Sequence, residues 1–167
     1  MPSLEERAAG IELVIFDVDG VFTDGGLSFA VDGSEIKTFY VRDGYGVKAL
    51  RTAGIEVAVI SGRSSDAVSR RMHELGVDRI FQGDDDKLPL YTALVRELGI
   101  AREQVAYVGD DLSDLPVLRQ VGLPIAVADA HAGLRDAVAW TTPSRGGRGA
   151  VRDVCDLLLQ SRAGHGR

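Results

Sequence analysis

Two aspartates, Asp17 and Asp19, follow directly after an apolar run in the sequence LVIFDVDG. Residues two apart in an extended chain point in the same direction, so both carboxylates are placed to share one site. A second apolar run, VAYV, is followed by Gly109, Asp110 and Asp111. Clustered carboxylates are costly in a partly dry crevice unless a cation accompanies them. We therefore expect a hard, oxygen-preferring ion here, and Mg²⁺ suits best because it takes few carboxylates and commonly accompanies phosphate.

Two further stretches supply groups for holding a phosphate. Ser61 and Gly62 follow a third apolar run, EVAVI, at a predicted strand-to-helix turn, where a hydroxyl and backbone N–H groups are suited to phosphate oxygens. Lys87 stands at the opening of a predicted helix, where a cation opposes the helix dipole. Its position there indicates that it neutralises a phosphate or the carboxylates. Phosphoryl transfer needs alignment and charge neutralisation above all, and these groups supply both.

Short apolar runs alternate with amphipathic stretches along the chain, a pattern typical of an α/β protein. The runs are apolar on both faces, as are strands buried in a parallel sheet. Strands are predicted over 13–16, 56–60, 105–108 and 125–127, and helices over 44–52, 65–75, 87–98, 114–121 and 150–160. The expected fold is a three-layer α/β sandwich with a parallel, Rossmann-like sheet. Parallel strands end at one edge of such a sheet, so the polar groups after each run should converge there.

Residues 27–41 interrupt this alternation. Two β-rich stretches flank Asp32 and Gly33, a dipeptide typical of hairpin turns, and predict a β-hairpin that projects after the first strand. Four glycines are interpreted as helix-stop signals: Gly54, Gly76, Gly99 and Gly122. Residues 161–167 are expected to form a flexible tail. No linker divides the sequence, so residues 1–167 are interpreted as a single domain.

The composition excludes several classes of protein. With 45% hydrophobic and 26% charged residues and a net charge of −6, the chain has the balance of a soluble globular protein and lacks the basic excess of a nucleic-acid-binding surface. The one cysteine, Cys155, excludes an internal disulfide framework and a multi-cysteine zinc site. No stretch has the length and hydropathy of a membrane span or a signal peptide. We therefore expect a cytoplasmic protein without a nucleic-acid or membrane partner.

The motifs DVDG, SG, Lys87 and GDDLSD, in this order and spacing, resemble those of the haloacid dehalogenase superfamily of phosphotransferases over almost the whole chain. The resemblance implies that Asp17 is the nucleophile that takes up the phosphoryl group. It implies that Asp19 is first the general acid and then the base that activates water. The Mg²⁺ ligands implied are Asp17, the main-chain carbonyl of Asp19, and Asp110.

The same resemblance assigns the remaining motif residues. Ser61, Gly62 and Lys87 would hold the phosphate. Asp111 and Asp114 would be supporting residues, and Asp114 could equally cap its helix.

Longer blocks, among them DVDGVFTDGGL, VRDGYGVKALRTAGIEVAVISGR and AYVGDDLSDLPVL, resemble the family of 3-deoxy-D-manno-octulosonate 8-phosphate (KDO 8-phosphate) phosphatases. That resemblance implies a cytoplasmic, Mg²⁺-dependent homotetramer that hydrolyses a sugar phosphate in lipopolysaccharide synthesis through an aspartyl-phosphate intermediate. It also implies that Arg63 contacts the sugar carboxylate. Arg42 and Asp43, in VRDG before the first predicted helix, are expected near the rim, with Arg42 as a second substrate-binding residue. Arg145 and Arg148 belong to a basic loop that either attracts an anionic sugar or is a solvated turn.

The chain is too short for the cap domain that many relatives insert before or after Ser61, so the fold is expected to be capless. Walls for the site are then most economically supplied by neighbouring subunits. The hairpin carries four apolar or aromatic residues that suit such assembly or, equally, packing within the subunit: Leu27, Phe29, Phe39 and Tyr40.

Three other functions stay open at this stage. The first is a phosphatase for a nine-carbon ulosonate phosphate or another sugar phosphate, against which Arg63 argues mildly. The second is a degenerate assembly module without catalysis, against which the complete set of motif residues argues. The third is a signalling receiver domain, which fits poorly because its paired acids and phosphoacceptor occur in a different order.

Overall fold

The computed structural model describes residues 1–166 and shows a six-stranded parallel sheet with helices on both faces. The elements in chain order are α1 (Leu4–Ala9), β1 (Leu13–Phe16), β2 (Ser28–Phe29), β3 (Glu35–Ile36), α2 (Val41–Thr52), β4 (Glu56–Ser61), α3 (Asp66–Glu74), β5 (Arg79–Gln82), α4 (Lys87–Leu98), β6 (Val105–Gly109), α5 (Leu115–Leu118), β7 (Leu123–Ala126), β8 (Trp140–Thr141) and α6 (Ala150–His165). The strand order is β5-β4-β1-β6-β7-β8. The predicted three-layer α/β sandwich is confirmed.

Strand β1 lies inside the sheet, between β4 and β6, and is buried on both faces. Val14 and Phe16 belong to the core shared with α1, α2, α3 and α6, whereas Leu13 and Ile15 belong to the core shared with α4 and α5. This alternation explains why the strand is apolar at every position, because both of its faces are covered by helices. The strand is thus a rigid support for the residue that follows it, Asp17.

The hairpin is present, with shorter strands than the predicted span of 27–41. Strands β2 and β3 pair antiparallel, with Phe29 opposite Glu35, and Gly33 takes the left-handed conformation in the turn (φ 84°). Phe29 is 61% exposed and Leu27 is 51% exposed, whereas Phe39 packs against the core. The strand pairing ends at Ile36, residues 37–40 form no regular element, and α2 begins at Val41.

Two sequence predictions about helices in the C-terminal half differ from the structure. The helix predicted over 114–121 is only α5 (Leu115–Leu118), preceded by a 3₁₀ turn (Leu112–Asp114). The Asp114 carboxylate does not cap α5, because it accepts from the backbone N–H groups of Asp110 and Asp111. The predicted loose tail is helical to His165, since Ser161 is buried and Arg162 pairs with Glu12; residue 167 lies outside the described residues.

Gly122 does not act as the predicted helix stop, and the structure gives another reason for a glycine at this position. A Cβ there would overlap the backbone of Glu103, so glycine permits two chain segments to approach each other, and its φ is not left-handed. Helix α1 was not predicted, although Ser3 and Glu6 form the capping box that its sequence, SLEE, encodes. None of the helices within residues 1–166 has the length and hydropathy that a membrane-spanning segment requires.

Candidate active site

Most of the predicted site residues meet in one cavity of about 260 Å³ at the carboxyl ends of β1, β4 and β6. It is lined by Asp17, Asp19, Gly25, Ser61, Gly62, Arg63, Asp85, Lys87, Asp110, Asp111 and Ser113. A larger recess, of about 520 Å³, lies between the hairpin stem and α3, but none of the motif acids lines it. The expected convergence at the sheet edge therefore produces a polar crevice rather than the largest cavity of the fold.

Lys87 is the central cation of the crevice. Its ammonium lies 3.1 Å from Asp17 Oδ2 and 2.7 Å from Asp114 Oδ1, and its side chain is 3% exposed. Burial alone would lower the pKa of Lys87, but Asp17 and Asp114 outweigh it and the pKa is raised. Lys87 therefore remains a cation, and it offsets part of the negative charge that the sheet edge gathers.

Asp114 is fully buried beneath the crevice and accepts four hydrogen bonds. Lys87 Nζ and the Tyr107 hydroxyl donate to Oδ1 at 2.7 and 2.6 Å. The backbone N–H groups of Asp110 and Asp111 donate to Oδ2 at 3.0 and 3.2 Å. Both carboxylate oxygens are thus occupied, so Asp114 braces the loop after β6 and orients Lys87.

The carboxylates of Asp17, Asp110 and Asp114 each offer an oxygen, and these oxygens lie within 4.8 Å of one another. Burial, with the charge of Asp114, raises the pKa of Asp17 to about 6, partly opposed by Lys87. Burial, with the charges of Asp17 and Asp114, raises the pKa of Asp110 to about 8. Such a cluster is unfavourable without further positive charge, and carboxylates are the oxygen ligands that Mg²⁺ prefers. Since Asp114 is already saturated, Asp17 and Asp110 fit the role of ligands.

Asp19 has partners that the sequence analysis missed. Lys37 Nζ lies 2.6 Å from Asp19 Oδ1 and 3.0 Å from Glu35 Oε1, and the Lys37 side chain is 2% exposed. Arg63 reaches the same group, with Nε 3.9 Å from Asp19 Oδ2 and Nη2 3.1 Å from Glu35 Oε1. The available signal was the alternation of charged and apolar residues in EIK, where residues 35 and 37 point to one face.

Ser61 is buried at the end of β4, and Gly62 follows it in the turn towards α3. A Cβ on Gly62 would meet the carboxylate of Asp85, so a larger residue here would push that exposed side chain aside. Arg63 is about half exposed at the mouth of the crevice. The structure thus brings Ser61, Gly62 and Arg63 together with Lys87, as the sequence pattern predicted.

Arg42 does not line this crevice. It lies on the first turn of α2, over the ring of Tyr40, and lines a separate recess with Val41, Tyr45 and Arg152. The structure does not bring Arg42 to the crevice of its own subunit, because α2 starts at Val41 and places Arg42 on the exposed helix surface, and its role in substrate binding stays a prediction.

The loop at residues 143–149 braces the loop that carries the first motif. Gly147 N–H donates to the Val21 carbonyl at 3.0 Å, and Gly146 N–H donates to Asp129 Oδ1 at 3.0 Å. A Cβ at Gly146 would overlap the carbonyl oxygen of Gly20, so the two loops touch at backbone distance. Residues far apart in the sequence therefore fix the backbone around Asp19.

Comparison with known proteins agrees with this geometry. The family model of haloacid dehalogenase-like hydrolases matches residues 46–122. A 3-deoxy-D-manno-octulosonate 8-phosphate phosphatase of Yersinia pestis is 51% identical over 154 residues, which are 92% of this chain and 82% of that protein. A crystal structure of the Yersinia pestis enzyme superimposes with a TM-score of 0.94 at 49% identity, over 96% of this chain and 86% of that chain.

A crystal structure of the Moraxella catarrhalis phosphatase, in complex with a magnesium ion, a phosphate ion and a KDO molecule, also has a TM-score of 0.94, at 43% identity over 96% of this chain and 92% of that chain. These likenesses extend over nearly the whole chain and include the site described above. The chain belongs to the family of 3-deoxy-D-manno-octulosonate 8-phosphate phosphatases, within the haloacid dehalogenase-like hydrolases.

Proposed function

We propose that this protein is a Mg²⁺-dependent phosphatase that hydrolyses KDO 8-phosphate to KDO and phosphate in lipopolysaccharide biosynthesis. The observation that carries the proposal is the meeting of Asp17 and Asp110 with buried Lys87 beside Ser61 at the sheet edge. The substrate follows from relatives at about half identity that act on this ester, one of which is described with Mg²⁺, phosphate and KDO. We assign the whole reaction to residues 1–167 as one domain.

Asp17 is assigned as the nucleophile and Asp19 as the acid and base. A carboxylate oxygen of Asp17 bonds to phosphorus while the bond from phosphorus to the sugar oxygen breaks, and Asp19 gives its proton to that oxygen. Asp19 then takes a proton from a water molecule whose oxygen attacks phosphorus, and the bond to Asp17 breaks. The Val18 N–H donates to Asp17 Oδ1 at 2.7 Å and fixes the orientation of the nucleophile.

The remaining groups neutralise charge and hold the phosphate. Mg²⁺, bound by the carboxylates of Asp17 and Asp110 and the main-chain carbonyl of Asp19, would supply positive charge between nucleophile and phosphate. Lys87 and Ser61, with the backbone at Gly62, are assigned to the phosphate oxygens. Asp111 and Asp114 are assigned as supports, the latter through its bonds to Lys87 and to the backbone after β6.

Arg63 is assigned to the carboxylate of the sugar. Its guanidinium is about half exposed at the mouth and is tethered to Glu35, so it can turn towards an incoming anion while one side stays paired. A planar guanidinium binds a carboxylate through two parallel hydrogen bonds, which a lysine cannot reproduce. Arg145 and Arg148 receive no assignment.

We further propose that the protein is a cytoplasmic homotetramer. Residues 1–166 of one subunit form no cap over the site, and the hairpin exposes Leu27, Phe29, Val31 and Ile36. A set of exposed apolar side chains beside an open site suits burial against neighbouring subunits.

The proposal is tested by phosphate release from KDO 8-phosphate with and without chelator. The parent protein should be active only with Mg²⁺, and Asp17→Asn should lose at least about 10³-fold, because the nucleophile is removed. A nine-carbon ulosonate 9-phosphate, compared by kcat/KM, serves as the matched substrate. A higher kcat/KM for that ester would overturn the substrate assignment, and a folded, Mg²⁺-loaded protein inactive on both esters would favour an assembly module.

A further inference from the structure

The hairpin delivers a buried lysine to the site. Lys37 follows β3, and its side chain is 2% exposed although the hairpin around it is largely open to solvent. A lysine is almost never this buried unless its charge is paired. Both partners of Lys37 are acids, Asp19 at 2.6 Å and Glu35 at 3.0 Å, so the ammonium forms ion pairs with both carboxylates.

The alternation of β3 explains how the hairpin achieves this. Glu35 and Lys37 are two residues apart and point to one face, towards Asp19, whereas Ile36 points to the other face and is 54% exposed. Strand β3 and the residue after it thus direct the charged side chains of Glu35 and Lys37 towards Asp19.

The contacts divide the two oxygens of Asp19 between different partners. Lys37 takes Oδ1 in a short, charge-assisted bond, whereas within residues 1–166 Oδ2 has only a distant contact, to Arg63 at 3.9 Å. One oxygen is therefore anchored, whereas the other accepts no hydrogen bond within residues 1–166, and Asp19 lines the crevice. A group that must give and take a proton needs this combination of fixed orientation and an accessible oxygen.

We propose that Lys37 is a positioning residue that holds Asp19 in the orientation for proton transfer to the leaving alcohol. This inference rests on the proposed function, in which Asp19 is the acid. Glu35 secures the ammonium from its other side and links it to Arg63. After the proton has left, the Asp19 carboxylate remains paired with the same ammonium, so its new negative charge is neutralised as the ester bond breaks.

The test compares leaving groups in the first turnover. Lys37→Met keeps the length of the side chain without the charge, and Lys48→Met, on the exposed face of α2, is the matched control. We expect Lys37→Met to slow first-turnover release of KDO from KDO 8-phosphate by about 10- to 100-fold, because positioned acid catalysis contributes about 10²- to 10⁴-fold. Release of p-nitrophenol from p-nitrophenyl phosphate should slow by less than about threefold, since this leaving group needs little protonation. KM should change by less than about threefold, and Lys37→Arg should restore part of the rate.

Three results would overturn the proposal: equal losses for both esters, a raised KM with an unchanged rate, or a Lys37→Arg variant no better than Lys37→Met. If Lys37→Met does not fold, Lys37→Gln takes its place with the same expectations. If the parent does not hydrolyse KDO 8-phosphate, the proposed function has failed, but a different alkyl phosphate that it hydrolyses, set against p-nitrophenyl phosphate, still tests the role of Lys37.

Discussion

Asp114 offers the sharpest test of how the site is held together, because Asp114→Asn changes one charge and almost no volume. The carboxylate accepts bonds from Lys87, Tyr107 and two backbone N–H groups and is fully buried. An amide has one acceptor oxygen, so its NH₂ group must face two of these donors whichever way it turns. Either the buried ammonium or the loop after β6 then loses its acceptor.

The expected loss of stability follows from the contacts. Breaking a buried ion pair costs about 3–5 kcal/mol, and a hydrogen bond to a charged group is worth about 1.5–3 kcal/mol. Part of this is offset, since Asp114 repels Asp17 and Asp110 and contributes to their raised pKa values. We expect a net loss of about 3 kcal/mol, which for a domain of this size lowers Tm by about 6–12 °C.

The assay is urea unfolding in excess chelator at pH 7.5, followed by far-UV circular dichroism, so that metal binding does not enter the result. Asp86→Asn is the matched control: it is an exposed aspartate next to Lys87, without a side-chain hydrogen bond as helix cap, and should stay within about 0.5 kcal/mol of the parent. A loss below about 1 kcal/mol for Asp114→Asn would refute the reasoning that this carboxylate anchors the site.

Four other predictions follow from the structure. The pKa of Asp110 is raised to about 8, so protons compete with Mg²⁺, and the Mg²⁺ concentration for half-maximal phosphate release should rise as pH falls from 8 to 6; a constant value would contradict this. The pKa of Asp43 is raised, mainly by burial, from 3.8 to about 6; the folded state holds this proton more tightly than the unfolded chain, so stability is lost as pH rises from about 4 to about 6. Asp43→Asn should remove that part of the pH dependence, which is measured as the free energy of urea unfolding at pH 4.5 and at pH 6.5. If this free energy changes between the two pH values as much in the variant as in the parent, the burial of Asp43 is not its cause. Phe29→Lys should lower the molecular mass measured by light scattering from that of a tetramer, whereas Lys48→Met should not; an unchanged mass would exclude this residue from the interface. Gly146→Ala should lower kcat at least about tenfold, since its methyl group overlaps the loop before the hairpin, and full activity would show that the two loops yield easily.

The sequence was sufficient for the parts of the fold that depend on local patterns. Strand β1 is apolar at every position and ends in Asp17, and Ser61 ends another buried strand. Given the rule that parallel strands end at one edge, their meeting with Asp110 required no further information. The family resemblance then supplied their roles.

What the sequence did not reveal depends on contacts between distant segments. Lys37 looks like an ordinary polar residue of a hairpin until Asp19 is placed beside it. The continuation of α6 to His165 was not predicted, because it is supported by the ion pair between Arg162 and Glu12, which are far apart in the sequence. The surroundings of Arg42 could not be read from the sequence, because they depend on α2 beginning at Val41 and on its packing beside Arg152.

The contact between the loop at 143–149 and the backbone near Gly20 has a consequence for biosynthesis. The two segments are separated by most of the chain, and α6, which packs on α1 and α2, follows the second of them. A ribosome exposes the DVDG motif early, yet its surroundings stay incomplete until residues 143–149 and helix α6 have been translated. Premature termination before that point should yield a polypeptide without a working catalytic centre, so unfinished copies cannot consume the ester.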